Sequence, residues 1–158
     1  MSQLHWIHRA AALLFAALCA ACQSLPEAPA QPPQWAMHSP ADAPLARLAA
    51  ASLPADATAL SGLQLLPDGE DALATRIALA RLARHTLDVQ YYQIAADAAA
   101  LRFLAELHAA ARRGVRVRLL VDDLNAAELH PLFAALDAEP NFEVRLFNPL
   151  PARLGSVP

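Results

Sequence analysis

The chain contains no lysine; every one of its 12 lysine-or-arginine positions is arginine. Chemistry that needs an ε-amine, such as a Schiff base or a P-loop lysine, is therefore closed to it. Glycine is nearly as scarce, with only Gly62, Gly69, Gly114 and Gly155. No G-x-G-x-x-G, G-x-S-x-G or Walker-type loop can be drawn from those positions. The only cysteines are Cys19 and Cys22, both close to the N-terminus. A net charge of −3 gives no general pull toward nucleic acid or anionic lipid. The hydrophobic fraction is 56%, but much of the excess over ordinary chains is alanine, which marks helices rather than membrane spans.

What is present begins with an apolar run over 10–21, centred on Leu13, Leu14, Phe15 and Leu18 and preceded by one firm charge, Arg9. A spanning helix needs roughly 20 apolar residues. A secretory signal needs about 7–15, with small residues at the cut. The spacing predicts a signal over 1–21. Its tail, Cys19-Ala20-Ala21-Cys22-Gln23-Ser24, resembles a bacterial lipobox with cysteine where leucine is usual. That resemblance implies palmitate-type acylation of Cys22 and an exported, lipid-anchored chain facing the periplasm. Ser24, in the place of an aspartate, points to the outer membrane rather than the inner. Ordinary signal cleavage is the second reading of the same residues. A Cys19-x-x-Cys22 redox or metal pair is the third, and it lacks partner ligands nearby.

Residues 22–59 read as a semi-rigid linker. Seven of the 13 prolines fall between 23 and 54. Proline at that density removes amide donors and favours extended conformations. A short turn over 45–51 is the one expected exception. Trp35 and Met37 either stay solvated or touch the body or a bilayer.

From residue 60 the pattern alternates between strands and helices. A short apolar run over 62–66, read as the first of four strands, stops at Pro67-Asp68-Gly69, a turn signal. A helix over 70–85 follows, with Leu73, Ile77 and Ala80 on its buried face. A strand over 86–92 places Leu87, Val89 and Tyr91 on one side. Asp97 is the expected cap of a second helix through Leu101, Leu104 and Ala111, which closes on Arg112-Arg113-Gly114. A strand over 115–121, a helix starting near Pro131 and a strand over 141–148 complete the series. Strands alternating with helices of this length predict an α/β fold with a parallel sheet and crossover helices. Ligands of such sheets bind beyond the carboxyl ends of the strands.

Four phrases in this order resemble the start of a phospholipase D superfamily protein, in the bacterial cardiolipin synthase-like branch. They are Leu66-Pro67-Asp68-Gly69, the stretch Leu87-Asp88-Val89-Gln90-Tyr91-Tyr92, the stretch from Arg113 to Asp123, and Val144-Arg145-Leu146-Phe147-Asn148-Pro149. The resemblance implies a partial phospholipase D-like fold over 60–158, with the remaining half of the fold as its missing partner. It also implies phosphatidyl transfer through a phosphohistidine, with phospholipid headgroups as partners and no cofactor or metal. The family's two H-x-K-x4-D motifs carry that chemistry, by covalent catalysis and cationic stabilisation of the transferring group. Neither motif occurs here. The six histidines, His5, His8, His38, His85, His108 and His130, have no lysine after them, so no catalytic residue is assigned. The chain is expected to be an inactive N-terminal fragment of a transferase. The alternatives are a phospholipid or nucleic-acid phosphodiesterase of the same superfamily, or a non-catalytic lipid-anchored binding module.

Three residues are candidates for a cleft rim at the strand ends: Tyr92, Asp122 and Asp123. The bland reading of the two aspartates is a polar strand end, and of Tyr92 an ordinary rim aromatic. Arg112, Arg113, Arg116 and Arg118 form a basic cluster read as a solvated patch, with headgroup or phosphate contact as its functional reading. Nucleic acid is not an expected partner. Leu87, Val89, Leu119 and Phe142 are expected to be only partly covered.

Overall fold

A computed structural model describes residues 2–20, 33–38, 40–54, 56 and 61–149. Cys22, the cysteine expected to be acylated, lies outside the described residues. The chain divides into two units. In the first, α1 (Ser2–Ala20) is a 19-residue helix whose Trp6, Leu13, Leu14 and Phe15 are exposed. Among the described residues, no helix is long and apolar enough to cross a membrane.

The second unit, Gln34–Pro149, is the α/β body. It contains α2 (Pro44–Ala51), α3 (Gly69–Leu82), β1 (Thr86–Tyr91), α4 (Ala98–Arg112), β2 (Arg116–Asp122), α5 (His130–Asp137) and β3 (Phe142–Phe147). Two short 3₁₀ turns, Asp123–Asn125 and Ala127–Leu129, connect β2 to α5. The strands form one parallel sheet in the order β1-β2-β3.

Local chemistry fixes the ends of the helices. Asp68 caps α3 by accepting from the amides of Glu70 at 2.8 Å and Asp71 at 3.2 Å. Asp97 caps α4 by accepting from the amide of Ala100 at 2.8 Å. Each cap satisfies a donor that has no partner within its own helix. At the other end of α4, Gly114 has φ of +90°, where a Cβ is strained. The amide of Gly114 then reaches the carbonyl of Ala111, and that of Val115 the carbonyl of Ala110, which is a Schellman closure. Arg113 turns back and donates to the carbonyls of Ala80 at 2.9 Å and Arg81 at 3.3 Å, so it serves the last turn of α3. Helix α3 stops at Leu82, short of the expected residue 85, because buried Ala83 adopts extended backbone to enter the sheet.

Register sorts the strand residues into two faces. Leu87, Val117 and Phe142 are aligned, as are Val89, Leu119 and Val144. This face packs against Ile77 and Ala80 of α3, Leu104, Leu107 and Ala111 of α4, and Phe133 and Leu136 of α5. Leu107 is fully buried, a burial that contributes about 1.5–3 kcal/mol for a leucine. Leu119 and Phe142 are buried too, against the expectation of partial cover, because the three helices share this one face. Leu101 lies on the exposed side of α4, and Phe103 takes the core position expected of it.

The expected strand over 62–66 does not form. Those residues have no ladder partner among the described residues, and Leu63 and Leu65 are almost fully exposed. Neither outer strand, β1 nor β3, takes this run as a partner, so among the described residues the sheet has three strands where four were expected.

Candidate functional site

The carboxyl ends of the parallel strands share one edge of the sheet, with Tyr91 ending β1 and Tyr92 after it, Asp122 ending β2 and Asp123 after it, and Asn148 after β3. Tyr92 is 70% exposed, and its carbonyl lies 3.5 Å from the side-chain amide of Asn125. Asp122 accepts from the amide of Leu124 at 2.9 Å and so caps the first 3₁₀ turn. Asp123 is the one charged residue that is buried among the described residues. Its Oδ1 accepts a 2.7 Å hydrogen bond from Nε2 of His130 at the start of α5. The two aspartates thus differ in role. The first shapes a turn, and the second binds the turn to the next helix.

A cavity of about 240 Å³ opens beside the end of β1, lined by Leu73 and Arg76 of α3, Tyr91, Gln93 and Ile94 of the strand end, and Phe103 of α4. Tyr92 does not line it, so its neighbours Tyr91 and Gln93 face the space at this end. A second space of about 210 Å³ lies between Ile94–Ala96 and the two 3₁₀ turns. Both are below the size that holds a drug-sized ligand, roughly 300 Å³ or more. Among the described residues, no group of three or more His, Cys, Asp and Glu side chains is placed to hold a metal ion. Gln93 follows Tyr92 at the end of β1, where the sequence pattern places ligands, whereas the sequence does not mark His130 as a site residue. Nothing in the local pattern marks His130, because its partner is seven residues away across two turns.

The opposite face of the sheet is polar. Asp88, Arg118 and Glu143 stand in one row across the three strands. Arg118 donates to both carboxylate oxygens of Asp88, at 2.6 and 2.7 Å. Arg145 donates to Glu143 at 2.6 Å. The Gln34 side chain completes the row, donating to Glu143 at 2.7 Å and accepting from Arg118 at 3.2 Å. Arg116 donates to the carbonyl of Trp35 at 3.3 Å. The hydrogen bond from Arg118, aided by its charge, holds the Asp88 carboxyl below its ordinary range. Partial burial pushes Glu143 upward, but the bonds from Gln34 and Arg145 outweigh it and leave that carboxyl lowered. The four arginines expected to form one basic patch are therefore divided. Arg113 serves a helix end, and Arg116 and Arg118 serve the sheet face.

A parallel sheet with helices on one face and a polar row on the other is the frame in which the family relationship becomes visible. The chain is related to the phospholipase D superfamily through its cardiolipin synthase-like branch. The relative that carries this is "Cardiolipin synthase C" of Escherichia coli (strain K12), 48% identical over 110 residues, covering 68% of this chain and 23% of that protein. An "Uncharacterized protein" of Helicobacter pylori (strain ATCC 700392 / 26695) is 39% identical over 85 residues, covering 54% of this chain and 17% of that protein. The chain thus spans less than a quarter of the length of these relatives. Among solved structures, "NucT from Helicobacter pylori" is similar with a TM-score of 0.45 and 24% identity, covering 58% of this chain and 57% of that one. No protein-family profile matches the chain.

Proposed function

We propose that the Gln34–Pro149 body is the N-terminal part of a phosphatidyl-transferring enzyme of the cardiolipin synthase-like kind, held at the cell envelope by an acylated Cys22. The observation that carries this reading is the 48% identity to Cardiolipin synthase C over 110 residues. Identity at that level over several elements reflects common descent of the whole layer, not a shared short motif.

In this reading the chain supplies scaffold and rim, not the reacting groups. It has no lysine and no H-x-K pair, so the nucleophile and the cationic donors come from polypeptide outside this sequence. The cavity beside Tyr91 and Gln93 is one wall of a cleft completed by that polypeptide. The Asp123–His130 bond keeps the loop after β2 in position on the rim. Phospholipid headgroups are the substrates, and the outer membrane is the site of anchoring.

A chimera tests the proposal. Residues 60–149 of this chain replace their aligned counterparts in Cardiolipin synthase C, and the product is expressed in cells lacking their own cardiolipin synthases. Cardiolipin in the lipid extract is the expected result. A chimera that is present, membrane-associated and protease-resistant, yet makes no cardiolipin, overturns the reading.

A further inference from the structure

The stretch after the apolar N-terminus does more than connect. Gln34 is turned onto the polar face of the sheet, where its amide bridges Arg118 and Glu143. The next residue is pinned through its backbone, by the 3.3 Å bond from Arg116 to the Trp35 carbonyl. Residues 33–38 form neither helix nor strand, and beside the bonded Gln34 the side chains at 35 and 37 are both apolar and exposed. Trp35 is 79% exposed and Met37 54% exposed.

An indole held out in water by a fixed backbone needs a reason. Tryptophan, with an apolar body and one N–H donor, is the side chain best suited to the boundary between headgroups and acyl chains. Exposed apolar residues grouped on one segment mark contact surfaces. Trp35 lies 13 residues beyond Cys22, a contour of at most about 45 Å. An acyl anchor at Cys22 therefore keeps this segment within reach of the membrane at all times. The partner with the right chemistry and permanent proximity is the bilayer itself.

We propose that Trp35 and Met37 form a bilayer-contacting patch, pinned to the body through Gln34 and Arg116. The patch would hold the polar face of the sheet close to the headgroup layer. This rests on the envelope-anchored reading above, and it adds a second, non-covalent attachment point on the body.

The test uses the chain acylated at Cys22 and carrying Trp6→Phe, so that Trp35 is the sole tryptophan whether or not the segment before Cys22 is removed. The protein is bound to vesicles of phosphatidylethanolamine and phosphatidylglycerol, with and without brominated acyl chains. A control carries Trp6→Phe, Trp35→Phe and Leu63→Trp, placing the indole at a position that is 98% exposed and outside the pinned segment. The expected result is a blue shift and at least a twofold loss of emission by brominated lipid for Trp35, with neither for the tryptophan at 63. Vesicle-bound chain whose Trp35 stays unshifted and unquenched overturns the proposal. Equal quenching at both positions overturns it as well, since the contact would not be specific. The anchoring reading fails by a different measurement, acyl labelling at Cys22, so the two failures are distinguishable.

Discussion

The Asp123 carboxylate, only 2% exposed, accepts its 2.7 Å hydrogen bond from a His130 imidazole whose side chain is about one-third exposed. One partner is inside the protein and the other reaches the surface. The bond joins the end of the central strand to the first turn of α5, across a loop built only of 3₁₀ turns.

His130→Ala removes that donor from a buried carboxylate. Leaving a buried polar group under-satisfied costs about 1–3 kcal/mol. Urea unfolding of the body should show a loss in that range. Asp123→Asn keeps an acceptor oxygen at the site and should lose less. A loss under about 0.5 kcal/mol for His130→Ala would show that the bond does not hold the loop.

The Asp88–Arg118 pair predicts an acid-side dependence of stability. The carboxyl of Asp88 is lowered in the folded protein, first by its hydrogen bond to Arg118. Such a group contributes stability above its unfolded value, about 3.9 for aspartate, and that contribution disappears as pH falls through the lower folded value. Melting temperature measured from pH 6 down to pH 2 should therefore fall more steeply in the parent than in Asp88→Asn. Superimposable profiles would remove the pair from the account of acid stability.

Gly114 closes α4 with φ of +90°, and a Cβ there meets no neighbouring atom within 4 Å. The cost of Gly114→Ala is then backbone strain alone, about 1–2 kcal/mol. For a body of this size that corresponds to a fall in melting temperature of roughly 4–8 °C. An unchanged melting temperature would mean the helix end relaxes to another closure.

Purified chain should show no phosphatidyl transfer and no phosphodiester hydrolysis above blank, because it lacks lysine and any H-x-K pair. Turnover that persists through stringent purification and is altered by His130→Ala would place the chemistry at the β2–α5 loop instead.

Cys22→Ser should abolish incorporation of a palmitate analogue and block lipoprotein-type processing in cells. Equal labelling of parent and variant would refute acylation at this cysteine.

Much of the body was legible in the sequence because its signals are local. Asp68, Asp97 and Gly114 each act within one helix turn, and the alternation of Val115, Val117, Leu119 and Val121 follows from strand geometry alone. The run at 62–66 misled because its composition fits a strand, and pairing is decided by an edge that composition does not reveal. Arg113 and Arg118 look alike as neighbours in a basic run. Only the fold sends one to the carbonyls of α3 and the other to Asp88 on β1. The candidate site was legible as a place, the strand ends, but not as a set of roles. Asp122 and Asp123 are adjacent and chemically identical, and burial against His130 is what separates them.

Because α3, α4 and α5 all pack on one face, consecutive residues of β2 answer to different constraints in mutational drift. Val117, Leu119 and Val121 sit among helix side chains that accept other apolar groups of similar volume, so each can change alone at modest cost. Arg118 is tied to Asp88 by two hydrogen bonds and to Glu143 through Gln34, so these positions share partners and a change at one alters the setting of the next. Drift on the helix side should therefore be independent from site to site, whereas on the polar side it should proceed by compensated sets that span all three strands and residue 34 together.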